Sequence, residues 1–467
     1  MTTACQSCAG TDRTPQTGPV ALTLAPPAPS RAPWYHVVGG GARPQALLVE
    51  SSALFEISPP LASALTAGDP QAQALLADYR PDSGARDLPA DLPTPAAISL
   101  NVAQSCNLTC SYCYADEGRF GGTARRMTQD TARAAIDELL KGARAGDSVL
   151  VGFIGGEPLL NRDVVHDSVA YTQKRAAARG IQARFSITTN ATLLTASHRD
   201  LLCSNPFAVT VSIDGGRHRH DRHRRRRDGG GSFDHILDHI GGLLANPGLA
   251  RVSARATITR DDLDVAGVVS ELVAAGFTDV GVSPVRTGPD PTLMVSGSDW
   301  DTYLAAMIEA AQQETARLDC DGAQRGWRFA NFGNALTEIH RGTARPLPCG
   351  AAYGYLSVDV DGRYATCHRT VGDPRFELGS IGSRSDDARA AFLSARLVDT
   401  QQPCRDCWAR YLCGGGCHAE VTHAGRDGCD MIRGWLDFCL AAYPELRRRF
   451  PTLFSTDKSA ERSPTHG

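Results

Sequence analysis

The sequence predicts an α/β protein built on a parallel sheet, with a small α+β unit before it and a cysteine-rich unit after it. Three observations predict this. Short apolar runs alternate with amphipathic helical stretches over about 200 residues, the pattern of successive βα units. Most of the fifteen cysteines in the 467 residues fall into two groups, one around residue 110 and one beyond residue 348. Residues before about 95 carry neither pattern and read as short strands followed by a helix. A net charge of −3 provides no global basic field for nucleic acid. No stretch of about 20 apolar residues occurs and no charged-then-apolar leader opens the chain, so neither a membrane span nor a secretory signal is expected.

Residues 1–30 are rich in Thr, Pro, Ala and Gly and are expected to be a disordered tail, with Cys5 and Cys8 inside it. In residues 31–95, Tyr35-His-Val-Val38, Ala46-Leu-Leu-Val-Glu50 and Ala53-Leu-Phe-Glu-Ile57 suggest strands, with a turn at 50–52 and a helix from Pro59 to Ala67. The next segment, 96–300, holds the alternation. It opens with Ser105-Cys-Asn-Leu-Thr-Cys-Ser-Tyr-Cys-Tyr114, in which Cys106, Cys110 and Cys113 lie within eight residues. Three such thiolates can hold three irons of a [4Fe–4S] cubane, normally a four-cysteine object, so a small molecule is left to complete the shell. A structural zinc site wants four ligands, usually as two close pairs. A disulfide reading needs an oxidising compartment.

Val149-Leu-Val-Gly-Phe-Ile-Gly-Gly-Glu-Pro158 reads as a buried strand ending where Gly155 and Gly156 let backbone approach a ligand, with Glu157 able to accept from an ammonium. Phe185-Ser-Ile-Thr-Thr-Asn190 and Val209-Thr-Val-Ser-Ile-Asp-Gly215 read as strands whose polar ends lie at the edge where parallel barrels bind ligands. Helices are expected over 128–143, with Thr128 at its start, and over 162–179, 233–244 and 265–275. Further strands are expected over 252–258 and 280–283. The Arg/His run 217–227 is either a solvated loop or a loop beside a cofactor.

After a connecting helical segment, 301–345, the unit 346–440 carries Cys349, Cys367, Cys404, Cys407, Cys413, Cys417 and Cys429, and 441–467 is expected to be a tail. Ser357-Val-Asp-Val-Asp-Gly-Arg-Tyr-Ala-Thr-Cys367 reads as a hairpin turning at Asp361-Gly362, which brings Cys349 and Cys367 to one end. In isolation, Cys404, Cys407, Cys413 and Cys417 also suit a zinc ribbon.

Taken together, these motifs resemble the radical S-adenosylmethionine (SAM) superfamily, in which SAM chelates the open iron of a three-cysteine cubane through its amine and carboxylate. The resemblance implies a partial (β/α)6 barrel, open on one side to a large substrate. It places Tyr112 beside the adenine and Gly155, Gly156 and Glu157 at the SAM amine. Ser212 and Asp214 match a Ser-x-Asp-Gly strand end near the cofactor, with Thr189 and Asn190 in the same site. Arg224, in His220-Asp221-x2-Arg224, matches a SAM carboxylate contact.

The later cysteines resemble the SPASM domain of peptide-modifying radical SAM enzymes, which carries two auxiliary [4Fe–4S] clusters. By that mapping Cys349, Cys367 and Cys417 serve the nearer cluster, which lacks a fourth protein ligand. Either another residue supplies it or that iron is free for a substrate thiolate. Cys404, Cys407, Cys413 and Cys429 serve the farther cluster, with Cys439 as the alternative to Cys429. The amino-terminal outline resembles the leader-binding domain fused to peptide maturases, which adds a substrate strand to a sheet edge; a generic βα cap has the same outline.

Over roughly residues 35–445 the motifs most resemble the maturases of quinohemoprotein amine dehydrogenase. The supporting segments are Phe329-Ala-Asn-Phe332, Gly342-Thr-Ala-Arg-Pro-Leu-Pro-Cys-Gly-Ala351, Cys367-His-Arg369 and Cys429-Asp-Met-Ile-Arg-Gly-Trp435. This implies thioether links from cysteine sulfur to Asp or Glu carbons of a ribosomally made peptide or small subunit. Carbon–carbon (cyclophane-type) cross-linking is the alternative on this scaffold, and a non-catalytic zinc-bearing peptide-binding protein the alternative of another class. Sulfatase maturases place an aspartate base where this chain has His368, which makes His368 the candidate catalytic residue, with Asp359 and Asp361 nearby. A flavodoxin- or ferredoxin-like reductant, a cytoplasmic location and no nucleic-acid or membrane partner complete the expectation.

Overall fold

The computed structural model describes residues 34–39, 43–80 and 88–455. The expected tail 1–30, with Cys5 and Cys8, lies outside the described residues. Six parallel strands form the centre: β4 (Ala97–Ala103), β5 (Ser148–Gly155), β6 (Gln182–Thr189), β7 (Phe207–Ser212), β8 (Arg251–Ile258) and β9 (Val280–Pro284), side by side in that order. Helices cross between them: α3 (Gln129–Lys141), α4 (Arg162–Ala177), α5 (Ala196–Cys203), α6 (Arg217–His223), α7 (Phe233–Ala245) and α8 (Val265–Ala274). This is the expected partial (β/α)6 barrel.

Local chemistry explains the boundaries. Thr128 accepts from the amide of Thr131 and so caps α3, whose Ala132, Ala135, Ile136, Leu139 and Leu140 face the core at helical spacing. Along each strand alternate residues go opposite ways. Leu100 and Val102, Val151 and Phe153, Ile187, Val209 and Val211, and Ala254 and Ala256 pack outward against the helices in one core. The expected stretch 217–227 is a short helix, α6, followed by an extended segment.

Before the barrel lies an antiparallel meander of β1 (Tyr35–Val38), β2 (Gln45–Leu48) and β3 (Ala53–Glu56), followed by α1 (Pro59–Thr66) and α2 (Pro70–Ala77). It is docked on the carboxyl-terminal part. His36 stacks on Trp408 with ring centroids 3.7 Å apart and bonds Asp437 at 2.8 Å.

After the barrel come α9 (Asp299–Asp321) and α10 (Ala330–Arg341). The cysteine-rich unit follows with β10 (Tyr355–Val358), β11 (Arg363–Ala365), β12 (Glu377–Ser380), β13 (Ser383–Arg384), α11 (Asp386–Arg396), α12 (Arg410–Cys413), α13 (His418–Ala424) and α14 (Cys429–Arg449). The hairpin turns at Gly362, φ +82°, as the Asp-Gly pair requires. The hairpin joins the barrel sheet: β10 pairs in parallel with β4, Tyr355 opposite Ala97 and Ser357 opposite Ser99, so one ten-stranded sheet runs through both units. One feature differs from expectation: α14 passes straight through residue 440, burying Cys439, Leu440, Tyr443 and Leu446 against the core, so 441–449 is helix rather than tail. Among the described residues no helix is long and apolar enough to cross a membrane.

Candidate functional site

The loop after β4 carries Cys106, Cys110 and Cys113, and two segments hold it. On one side is the end of β5: Gly156 donates to the carbonyl of Ala103 at 2.8 Å and Glu157 to that of Ser105 at 2.9 Å. This contact requires the glycines. A Cβ on Gly155 would lie 2.3 Å from the Ala103 oxygen and one on Gly156 2.2 Å from the Ser105 oxygen. On the other side is the segment after α6. Thr109 donates to the carbonyl of Arg225 at 2.8 Å, and Arg227 donates to that of Cys106 at 2.9 and 3.0 Å. Ser111 pairs with His223 Nδ1 at 2.8 Å. The Arg/His run is therefore the clamp of the cysteine loop.

Glu157 is fully buried. Its oxygens accept from the amide of Leu159 (3.0 Å), the hydroxyl of Thr189 (2.7 Å) and the amide of Asn190 (2.7 Å), and among the described residues no ion pair reaches it. Burial raises its pKa to about 7 despite those donors. Thr189 and Asn190 thus hold Glu157, and Asn190 also reaches Cys106 Sγ at 3.7 Å and Asn107 at 3.0 Å.

Asp214 is a hub. One oxygen accepts from the Thr257 amide (2.9 Å); the other accepts from the Tyr112 hydroxyl and from Arg224 Nε (2.9 Å). Its own amide donates to His220 Nδ1 at 3.2 Å. Arg224 lies over the Tyr112 ring, with its Nη1 3.9 Å from Cys110 Sγ. Burial drives the Cys106 thiol up to about 12 and the Cys110 thiol up to about 11, the latter in spite of Arg224.

Except on β5, whose inward positions are Leu150, Gly152 and Ile154, the inward faces of the barrel strands are largely polar: Ser99 and Asn101, Ser186 and Thr188, Thr210 and Ser212, Ser253, Arg255 and Thr257, and Ser283. Thr188 is exposed between buried Ile187 and Thr189, and Ser283 is exposed next to buried Val282, so part of this lumen is open to solvent. Both amide atoms of Asn101, a wholly buried residue, lack partners. Outside the lumen, a cleft of about 900 Å³ runs past Cys110, Cys113 and Tyr114 to Arg286, Arg369 and Asp427.

The later cysteines assemble as two groups. The thiols of Cys349, Cys367 and Cys417 act on one another, Cys367 being pushed to about 11 by burial first and by Cys417 next. Cys404, Cys407, Cys413 and Cys429 form the second group. Cys439 belongs to neither; it is fully buried in the core with burial alone raising its pKa. Among the described residues no three Cys, His, Asp or Glu side chains converge tightly enough for one metal ion. His368 begins a short turn after Cys367, with Nδ1 3.1 Å from the Tyr355 hydroxyl, which in turn pairs with Ser99 Oγ on β4 at 2.6 Å. Asp359 and Asp361 serve the hairpin turn: Asp359 accepts from the amides of Asp361 and Arg363, and Asp361 pairs with Arg125 at 2.6 Å.

The sequence profile of the radical SAM superfamily matches residues 100–245, the stretch that builds this loop and its clamps. The chain carries a radical SAM domain. The serine-type anaerobic sulfatase-maturating enzyme of Bacteroides thetaiotaomicron is 24% identical over 365 residues, covering 70% of this chain and 83% of that enzyme. The AdoMet-dependent heme synthase of Nitratidesulfovibrio vulgaris is 31% identical over 182 residues, 38% of this chain and 45% of that one. Among solved structures, anSMEcpe with bound AdoMet superposes with a TM-score of 0.63 at 17% identity, over 76% of this chain and 100% of its own. Streptococcus suis SuiB gives 0.50 at 14%, over 85% and 96%. These likenesses establish the fold.

A radical SAM domain takes SAM and a [4Fe–4S] cluster, and the residues fit both. Glu157 is a buried carboxylate with donors but no cation in contact, which suits an ammonium. The three loop cysteines stand beside it with no cysteine near enough in sequence to be a fourth. The polar lumen, the orphaned amide of Asn101 and the coupling of Tyr355 to Ser99 were not singled out from the sequence. Their signal was there in the polar residues that alternate with apolar ones along β4, β6, β7 and β8.

Proposed function

We propose that the protein is a radical SAM maturase that joins a cysteine sulfur to a carbon of a ribosomally made peptide or small subunit, with net loss of two hydrogens. The observation that carries the reading is the cleft of about 900 Å³ beside Cys110 and Cys113, where Tyr114 feels Cys113 on one side and Cys367 and Cys417 on the other. The sulfatase-maturating relatives, which act on a protein substrate by name, support a peptide as the molecule that enters.

Glu157 would hold the SAM amine, with Gly155 and Gly156 giving backbone access and Tyr112 and Ser212 near the nucleoside. Asp214 and Arg224 act largely through Tyr112 and Cys110, which they position. Cys106, Cys110 and Cys113 would hold the first cluster, Cys349, Cys367 and Cys417 the nearer auxiliary cluster, and Cys404, Cys407, Cys413 and Cys429 the farther one. When bound, SAM and its cluster supply a 5′-deoxyadenosyl radical able to take a hydrogen atom from an unactivated carbon. Everything else is positioning. The lumen orients the peptide, and the Ser99–Tyr355–His368 chain links it to the turn that carries Cys367. His368 would receive the thiol proton, and the auxiliary clusters that the later cysteines would hold would accept the remaining electron.

The amino-terminal meander supports leader capture. β3 is an edge strand, its Phe55 ring 5.5 Å from that of Tyr79, which is 63% exposed, and Leu75 on α2 is 62% exposed. An added peptide strand would pair with β3 and cover this apolar rim. The experiment is anaerobic coexpression with a short cysteine-containing polypeptide chosen from the neighbouring reading frames, followed by mass spectrometry. Loss of two hydrogens with disappearance of one alkylatable thiol per cross-link is expected. Loss of two hydrogens with every thiol still alkylatable would refute thioether formation and favour carbon–carbon cross-linking, and an unchanged mass would refute both.

A further inference from the structure

No carboxylate stands on an inward position of β4 to β9; the charged residues there are Arg184, Arg251 and Arg255. Arg255 is the one nearest the cofactor end, in register with Ser212 on β7 and Gly281 on β9. Its guanidinium leans across the inner face of β9. A Cβ on Gly281 would lie 1.9 Å from Nη1, so glycine is what leaves room for the arginine. Among the described residues Asp279 is the charge that acts on it, and no ion pair within 4 Å joins the two. Arginine keeps its proton regardless, and its planar fork matches a carboxylate. Here is a half-buried guanidinium on an inward strand position, with Asp279 acting on it but no ion pair among the described residues.

We propose that Arg255 is a specificity-determining residue that binds a carboxylate of the substrate segment in the lumen, holding an acidic side chain so that the adjoining methylene faces the cofactor. The inference rests on the maturase reading and deepens it. The alternative source of a carboxylate is SAM itself. Its carboxylate shares one carbon with the amine, so it must stay beside Glu157 at the end of β5. Arg255 leans over β9, at the far edge of the sheet.

The test uses the cluster-replete, SAM-loaded full chain and two small probes, N-acetylglutamate N-methylamide and its glutamine counterpart, titrated by calorimetry. A charge-assisted bidentate contact predicts that wild type binds the glutamate probe about tenfold more tightly. In Arg255→Gln that preference vanishes, and Arg255→Lys, which keeps the charge but not the fork, restores part of it. A preference that persists in Arg255→Gln overturns the proposal, as does none in wild type, whether both probes bind or neither. A tenfold loss of SAM affinity in Arg255→Gln would hand the guanidinium to the cofactor carboxylate and also overturn it. Probe selectivity that depends on Arg255, in a protein that dehydrogenates no peptide, would uphold the carboxylate subsite and remove the maturase reading.

Discussion

Gly156→Ala isolates the contact on which the cofactor site depends. Gly156 does not use a left-handed backbone, so alanine can adopt its conformation and the effect is steric. The new Cβ would sit 2.2 Å from the Ser105 oxygen and 2.9 Å from the Cys106 nitrogen. Both are rigid backbone, and ordinary contact begins near 3.4 Å. The β5 end and the cysteine loop must therefore separate by about 1.2 Å, which stretches the Gly156–Ala103 and Glu157–Ser105 hydrogen bonds beyond useful length. Overpacking of about 1–3 kcal/mol with the loss of two bonds of about 1 kcal/mol each is local and leaves the barrel folded. A displacement of about 1 Å between Glu157 and the first cluster should nevertheless cost roughly a hundredfold in SAM cleavage. The assay is 5′-deoxyadenosine formation with dithionite, alongside iron content and melting temperature. Gly241→Ala is the control: it lies inside α7 with nothing within 4 Å of the added Cβ, and should gain up to about 1 kcal/mol with cleavage unchanged. Wild-type cleavage by a fully iron-loaded Gly156→Ala protein would refute the reasoning.

Three further outcomes are expected. Replacing Cys106, Cys110 and Cys113 together with alanine should abolish 5′-deoxyadenosine formation while leaving the iron and colour held by the later cysteines; continued cleavage would contradict the assignment. Arg389, 1% exposed, donates to the carbonyls of Pro93, Ala352 and Tyr353, tying the approach to β4 to the turn before β10. Arg389→Leu should cost about 3–5 kcal/mol, read as a lower denaturation midpoint, because buried carbonyls lose their donors; an unchanged midpoint would show that they find other partners. His220 is buried and neutral, its pKa lowered from 6.5 to about 4 by burial. The unfolded chain then takes up the proton first, so stability is full above about pH 6.5 and falls toward pH 4 by about 3 kcal/mol from this residue. His418, lowered to about 3, adds in the same direction. His220→Gln should flatten that acid limb in anaerobic urea titrations, and an unaltered slope would argue against the buried neutral imidazole.

Much of the site was legible because its chemistry sits in contiguous words. Cys106, Cys110 and Cys113, then Gly155-Gly156-Glu157, then Ser212 and Asp214 announce themselves by residue type and spacing, and alternating apolar runs fix the βα order. The Arg/His run 217–227 was legible only as a choice between solvent and cofactor. Its role as a clamp depends on carbonyls some 120 positions earlier in the chain, such as that of Cys106, 121 residues before Arg227. The choice between Cys429 and Cys439 was open for a similar reason: both lie on α14, and only packing decides that one meets Cys407 and Cys413 while the other enters the core.

The sequence by itself determined most of the elements, their order and the candidate ligand-bearing residues, because helix and strand periodicity and short-range motifs are local properties. Tertiary structure alone decided what those residues meet. It joined β10 to β4 in one sheet, carried α14 past residue 440, turned Asp214 into the hub of Tyr112 and Arg224, and put Arg255 over Gly281. These contacts depend on how parallel strands align and which faces they turn inward, and that is set by burying the outward apolar residues against the helices.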